Sequence, residues 1–287
     1  MSPDEVRERQ RLRLVEVWEF IEGTLGIVAT IDDDAVRVVL SDRHVRIEHH
    51  DLRWAHDGTV TSLAFDRKVQ ERTFKAHRAA GFKVIQVYSD EWENQRAVCE
   101  SIIRNALGAC TVRLNARDCE LREIDTGEAR AMLQGSHISG YTRCSHKVGL
   151  VHPDHGLVSV ATLRTPIQKK WGDVAELARF SSKLDVVVRG GASKLLSHLI
   201  AHARAQGKEG LLSYAELRFG EGEVYARCGL ERQPNTGQGY GYTDGLRRWD
   251  RFKFRAQNGM TEKQYALSQN VRAVWGVGNA VYLTKFR

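Results

Sequence analysis

Residue types able to do chemistry gather first in Glu48-His49-His50-Asp51-Leu52-Arg53-Trp54-Ala55-His56-Asp57. The run Val45-Arg46-Ile47-Glu48-His49 alternates as a half-buried strand should, so carboxylates and imidazoles collect at a strand end. Such groups suit a metal site or general acid–base chemistry. Hydrolysis of a phosphodiester would need a hard divalent ion held by carboxylates, to polarise the phosphate and activate water. A polar loop that merely contains histidines is the alternative.

A second candidate is Gly190-Gly191-Ala192-Ser193-Lys194, which opens a predicted helix running to about residue 205. Glycines ahead of a helix expose backbone N–H groups to an anion, and the helix dipole favours negative charge there. The third is Arg247-Arg248-Trp249-Asp250-Arg251-Phe252-Lys253-Phe254-Arg255. In a strand, Arg251, Lys253 and Arg255 would share one face and Phe252 and Phe254 the other, a cationic stripe on an apolar anchor. Phosphate tracking requires that arrangement, and an edge strand guarded by charge is the alternative. With Arg248, Lys169, Lys170, Arg189 and Lys194, these residues form the expected contact set for double-stranded DNA. His137 and Tyr141 are candidates for polar contacts or for structural hydrogen bonds.

The elements expected to hold these residues begin with a helix over 4–22, where Leu12, Val15, Trp18 and Ile21 recur at helical spacing. Strands are predicted at 27–31, 36–40, 45–49 and 83–88, with helices at 63–80 and 91–107. A boundary is expected near Gly108-Ala109-Cys110, giving domains 1–108 and 109–287. The second half reads as an alternating strand region at 111–124, a helix from Thr126, and a hairpin around Pro153-Asp154-His155-Gly156. A strand follows at 175–180, then the helix after Gly190, a strand at 211–215 and a short helix at 221–227. Strands at 240–242, 248–254 and 280–285 complete it. The fold class is therefore α/β, or α+β, in two domains.

Composition sets bounds on function. The 287 residues are 42% hydrophobic and 28% charged, as in a globular protein. No apolar run approaches the roughly 18 residues of a membrane span. The charged start has no apolar region behind it, so no secretory signal is expected and the cytoplasm is the predicted compartment. Five cysteines without a Cys-x-x-Cys pair indicate neither a disulfide framework nor a zinc site. The net charge of +7 is uneven, with −3 on residues 1–110 and +10 on 111–287. A basic half suggests a polyanionic partner, or charge kept for solubility.

Longer ordered matches go beyond these local patterns. Ile47–Trp54, Asp66-Arg67-Lys68 and Gly81-Phe82-Lys83-Val84-Ile85-Gln86-Val87-Tyr88-Ser89-Asp90-Glu91-Trp92-Glu93-Asn94 resemble phage homing endonucleases related to very-short-patch-repair enzymes. So do Ala116–Glu120, His137–Tyr141, Gly190–Leu195, Ser213–Ala215, Arg251–Arg255 and Trp275–Asn279. The resemblance implies a restriction-endonuclease-like (PD-(D/E)XK-type, EDxHD) N-terminal domain that hydrolyses DNA in a phage-infected cell. It implies Glu48 and Asp66 as carboxylates on Mg²⁺, and Glu16 as the N-terminal Glu. Asp33 or Asp34 would serve as a further ligand, with His50 or His56 assisting. Three departures stand against cutting: Arg37 falls where a ligand aspartate is usual, Ala55 replaces a histidine, and Ala64 replaces another. A catalytically inactive DNA-binding or structural protein is the alternative. Separately, the Gly190–Lys194 helix start, the strand after it and Tyr225-Ala226-Arg227-Cys228-Gly229-Leu230 resemble the layout of acyl-CoA N-acetyltransferases. The family's usual Arg/Gln-x-x-Gly-x-Gly/Ala loop is shortened.

Overall fold

A computed structural model describes residues 1–32, 37–60, 62–257 and 259–286. The chain divides differently from the expected split at 108/109. One unit comprises Met1–Arg96, Leu217–Gly220 and Thr236–Gly278; the other comprises Ala97–Glu216, Glu221–Asn235 and Asn279–Arg287. Asp33 and Asp34 lie outside the described residues.

In the first unit, α1 (Pro3–Glu19) starts on a reciprocal cap between Ser2 and Glu5 and buries Val6, Leu14 and Val17. Strands β1 (Thr30–Asp32), β2 (Arg37–Leu40) and β3 (Val45–His50) form an antiparallel meander. Helix α2 (Arg67–Ala79) is the crossover that brings β4 (Lys83–Tyr88) parallel to β3, and the sheet order is β1-β2-β3-β4. Gly81 makes the turn between them at φ +83°, a conformation few other residues adopt. The single helix expected at 91–107 is two, α3 (Ser89–Asn94) and α4 (Arg96–Leu107), because Gln95 leaves helical geometry at φ −135°.

Beyond α4 the second unit is built on a seven-stranded sheet. The strand region expected at 111–124 turns at Ala116–Asp118, giving β5 (Val112–Asn115) and β6 (Glu120–Glu123) in different sheets. Helix α5 (Thr126–Ser136) precedes the hairpin of β7 (His146–His152) and β8 (Gly156–Arg164). Next come β9 (Ala175–Ser182), β10 (Val186–Arg189), α6 (Gly191–Ala205) and β11 (Gly210–Glu216). Helix α7 (Glu223–Arg227) and β12 (Glu231–Gln233) follow. β10 pairs in parallel with β5, away from the main sheet.

The chain then returns to the first unit and adds β13 (Tyr240–Thr243), β14 (Arg248–Asp250), α8 (Glu262–Ser268) and β15 (Arg272–Trp275), with sheet order β14-β13-β15. Only β16 (Asn279–Lys285) comes back to the second unit. It lies between β12 and β11 in the order β12-β16-β11-β9-β8-β7-β6. The main sheet is thus completed by the last strand of the chain. The fold is mixed α/β, as expected. No helix of the described residues is long and apolar enough to cross a membrane.

Candidate functional site

The strand-end cluster forms, but it is closed on itself. Glu48 is 3% exposed. Its carboxylate accepts from His77 Nδ1 at 2.9 Å and Gln86 Nε2 at 2.8 Å, with His50 Nε2 at 3.5 Å. Burial alone would raise its pKa, but hydrogen bonds from His50, His77 and Gln86 hold it well below the ordinary carboxylate range. The register sets Arg37 directly opposite Glu48. The Arg37 guanidinium donates to His77 Nε2 at 2.8 Å and to Asp32 at 2.6 Å. With Nε2 accepting, His77 donates from Nδ1 to Glu48, so one neutral tautomer satisfies both contacts. A cation therefore stands where a metal-binding aspartate would be needed.

The other expected catalytic residues have separate structural duties. Asp66 caps α2, accepting from the N–H groups of Lys68 (2.9 Å) and Val69 (3.0 Å). Glu16 accepts from Trp92 Nε1 and Arg96, each at 2.9 Å. His56 donates from Nδ1 to the Met1 carbonyl at 2.6 Å. His50 pairs with the Ser62 hydroxyl at 3.1 Å, and Ser62 lines an aromatic pocket of about 900 Å³ shared by Phe65, Tyr240, Tyr242 and Trp275. Ala55 and Ala64 are fully buried and fill core space. Among the described residues, the one group of three His, Cys, Asp or Glu side chains converging within 4.8 Å is Glu123, His146 and His198. Glu48 and Asp66 do not form a Mg²⁺ site.

The basic residues also part company. Lys169, Lys170, Arg189 and Lys194 belong to one unit and Arg248, Arg251, Lys253 and Arg255 to the other. Arg248 is drawn inward by Asp90 at 3.0 Å and by Glu91. Lys194 Nζ donates to the Ala116 and Cys119 carbonyls at 2.9 and 2.7 Å. Residues Arg251–Phe254 form a 3₁₀ turn, not a strand, so Phe254 is buried while Phe252 is exposed. Arg251 and Lys253 therefore do not line one face of a strand. Sequence reasoning missed what Arg248 does: with Arg218 it neutralises buried Glu91, whose carboxylate Arg218 grips at 2.7 and 2.8 Å.

The second unit assembles a different site. Parallel strands β9 and β11 pair only at Ala175–Leu177 with Leu211–Ser213. Beyond that point Ala178–Ser182 and Tyr214–Glu216 go separate ways. At the parting, the β8–β9 register jumps, with Leu163 opposite Leu177 and Thr162 opposite Arg179. Ala178 is thus a bulge residue left out of the ladder. Arg179 reaches back from β9 to the Gly140 and Ser139 carbonyls, so the 137–141 loop covers this half of the strand. Ser139 donates to Glu216, the last residue of β11, at 3.5 Å.

Two helix starts flank these strands. Gly190, at φ +76°, caps α6, and Arg189, Gly190 and Ser193 are exposed. The first N–H groups of α6 have no acceptor within the helix. Gly222, at φ +74°, caps α7, where a Cβ would lie 2.6 Å from Ala215 Cβ and 3.2 Å from Tyr225 Cδ2. Glycine there lets α7 begin against β11 and seats Tyr225 with its ring 5.4 Å from Tyr282. Burial pushes the Tyr225 phenol up in pKa. Of the other candidates, His137 accepts from the Ser139 N–H and Tyr141 lies by Cys144, so both hold the loop.

No protein-family model matches the chain, and no curated protein sequence matches it. Solved structures similar to it include an acetyltransferase of Bacillus subtilis in complex with CoA (13% identity, TM-score 0.37, covering 59% of this chain and 98% of that one). Another is the ribosomal-protein-S18-alanine N-acetyltransferase of Escherichia coli (14%, 0.38, 58% and 93%). A third is a GNAT family acetyltransferase of Elizabethkingia anophelis with acetyl-CoA bound (10%, 0.37, 59% and 99%). Similarity at this level assigns neither fold nor activity by itself. The Glu48 carboxylate is itself taken up by His77 and Gln86, with Arg37 opposite it. The expectation of a Mg²⁺-dependent, DNA-binding phage endonuclease does not hold.

Proposed function

We propose that the second unit binds an acyl-CoA and transfers its acyl group to an amine. The observation that carries this reading is the end of the pairing of parallel β9 and β11 beside a bulge, where a slot in the sheet would open. A narrow slot with backbone polar groups along its walls suits an extended pantetheine arm, which has amides of its own. The α6 N-terminus suits the pyrophosphate, with Gly191–Ser193 N–H groups, the Ser193 hydroxyl and Arg189 as its contacts. Lys194 is excluded from this set because its amine is already bonded to two carbonyls.

A bound acyl-CoA supplies an activated thioester carbonyl. The N–H of Ala178, the bulge residue, is the candidate donor to the carbonyl oxygen as negative charge develops there. Tyr225, held protonated by burial, is the candidate acid that gives its proton to the departing thiolate sulfur. Glu216, at the open end of β11, is the candidate acceptor of the proton that the attacking amine loses.

Titration calorimetry with CoA and acetyl-CoA tests the reading. One equivalent should bind, and Tyr225→Phe should leave that binding unchanged while lowering acyl transfer to a primary amine by about 10²-fold or more. Absence of CoA binding to the full chain would overturn the proposal.

A further inference from the structure

We propose that Glu123, His146 and His198 form a binding site for a divalent transition-metal ion of the zinc class. Three elements of the second unit bring the residues together. Glu123 ends β6, His146 begins β7, and His198 sits on the inward face of α6 with His202 one turn later. One ligand atom from each of the three lies within 4.8 Å of the other two. The His146 Nδ1 to Glu123 Oε1 separation is 3.8 Å.

The independent sign of a ligand is unsatisfied nitrogen. His146 is 8% exposed, and its Nε2 and that of His198 are buried without a hydrogen-bond partner. Burying such atoms unpaired is unfavourable, and a cation is the partner that two lone pairs and a carboxylate would share. His202 lies flat on His146, with ring centroids 3.6 Å apart and planes 9° from parallel. It packs against the ligand set and holds the His146 ring in place.

The donor set selects the metal. Two imidazoles and one carboxylate suit zinc or a neighbouring first-row ion, whereas magnesium and calcium prefer all-oxygen shells. Tetrahedral zinc places its ligand atoms about 3.3 Å apart, given Zn–N distances near 2.0–2.1 Å. The set must therefore close slightly, which Glu123 can do because its side chain is 70% exposed. Three protein ligands leave the fourth position to water. The bound ion would tie α6 to the β6–β7 edge of the sheet.

The test uses the full chain, stripped with chelator and titrated with Zn²⁺ alone at neutral pH, with Co²⁺ as a spectroscopic substitute. One equivalent should bind, and Co²⁺ should give a tetrahedral d–d spectrum. His198→Ala and Glu123→Gln should each weaken binding by roughly tenfold or more. His146→Ala is avoided because that side chain is buried; melting curves without metal should show the other variants folded. The sequence has 11 histidines, so His155→Ala serves as a control for binding at the His152–His155 hairpin. No stoichiometric binding, or binding unchanged by both His198→Ala and Glu123→Gln, overturns the proposal. Loss on His155→Ala with His198→Ala silent would do the same.

Discussion

His49 shows how far burial moves a single side chain. Glu48 and His50 face one side of β3 and His49 the other, where it is wholly enclosed and its pKa is pushed down to about 3 by burial, then by His50 and Arg13. The unfolded chain carries an ordinary histidine near 6.5. As the pH falls from about 6.5 toward 3, the unfolded state gains a proton that the folded state refuses, so stability is lost across that window. Glu91 acts lower down. Burial would raise it, but Arg218 and Arg248 hold it at about 2, so its contribution is complete above about 4.5 and lost as pH falls toward 2. Urea denaturation between pH 6.5 and 5 should therefore read His49, with a smaller part from His146, before Glu91 begins to titrate. His49→Leu should remove close to one proton of uptake on unfolding. An unchanged pH slope would contradict the buried neutral form. The sequence displayed the Glu48–His50 cluster plainly. It did not show that Arg37 and His77 close it, because that depends on the register of β2 against β3 and on the face of α2.

At the scale of elements, most local signals were faithful. The Ser2 and Asp66 caps, the Gly81 turn and the Pro153–Gly156 hairpin are set by residues within a few positions of one another. So are the helices they bound. The failures occurred where partners are distant. β10 was not anticipated because Val186–Arg189 is defined by pairing with β5, about 74 residues earlier in its register. The strand expected at 248–254 stops at Asp250, whose side chain accepts from the Phe252 N–H and starts a 3₁₀ turn. Alternation of charge and aromatics was real, but a local cap overrode it. Long-range pairing also makes Gly210 sensitive. A Cβ there would run into the Thr284 carbonyl on β16. Gly210→Ala should force β11 and β16 apart and lower stability by about 1–3 kcal/mol, measurable by thermal or urea melting. Wild-type stability in that variant would mean that the backbones of β11 and β16 leave room for a Cβ at Gly210.

At the scale of the molecule, the two units interleave along the chain. Glu91 in residues 1–96 is neutralised by Arg218 and Arg248, and β16 enters the main sheet between β12 and β11 from the last stretch of the sequence. A fragment of residues 1–108 should therefore fail to fold cooperatively, since it keeps the buried carboxylate and lacks both guanidinium partners. Circular dichroism and a denaturant melt would check this, and a sharp transition in the fragment would refute it. Composition and local pattern determined that this protein is a mixed α/β chain with capped helices and alternating strands, and they marked Glu48 and Gly190 as positions of interest. Tertiary structure decided what those positions are for. It faced Glu48 with a cation, bonded Lys194 to carbonyls, parted β9 from β11 at Ala178, and set His146 beside His198. Helix and turn signals are local, so sequence carries them. Register, burial and side-chain convergence arise between residues far apart in the chain, and the fold alone fixes them.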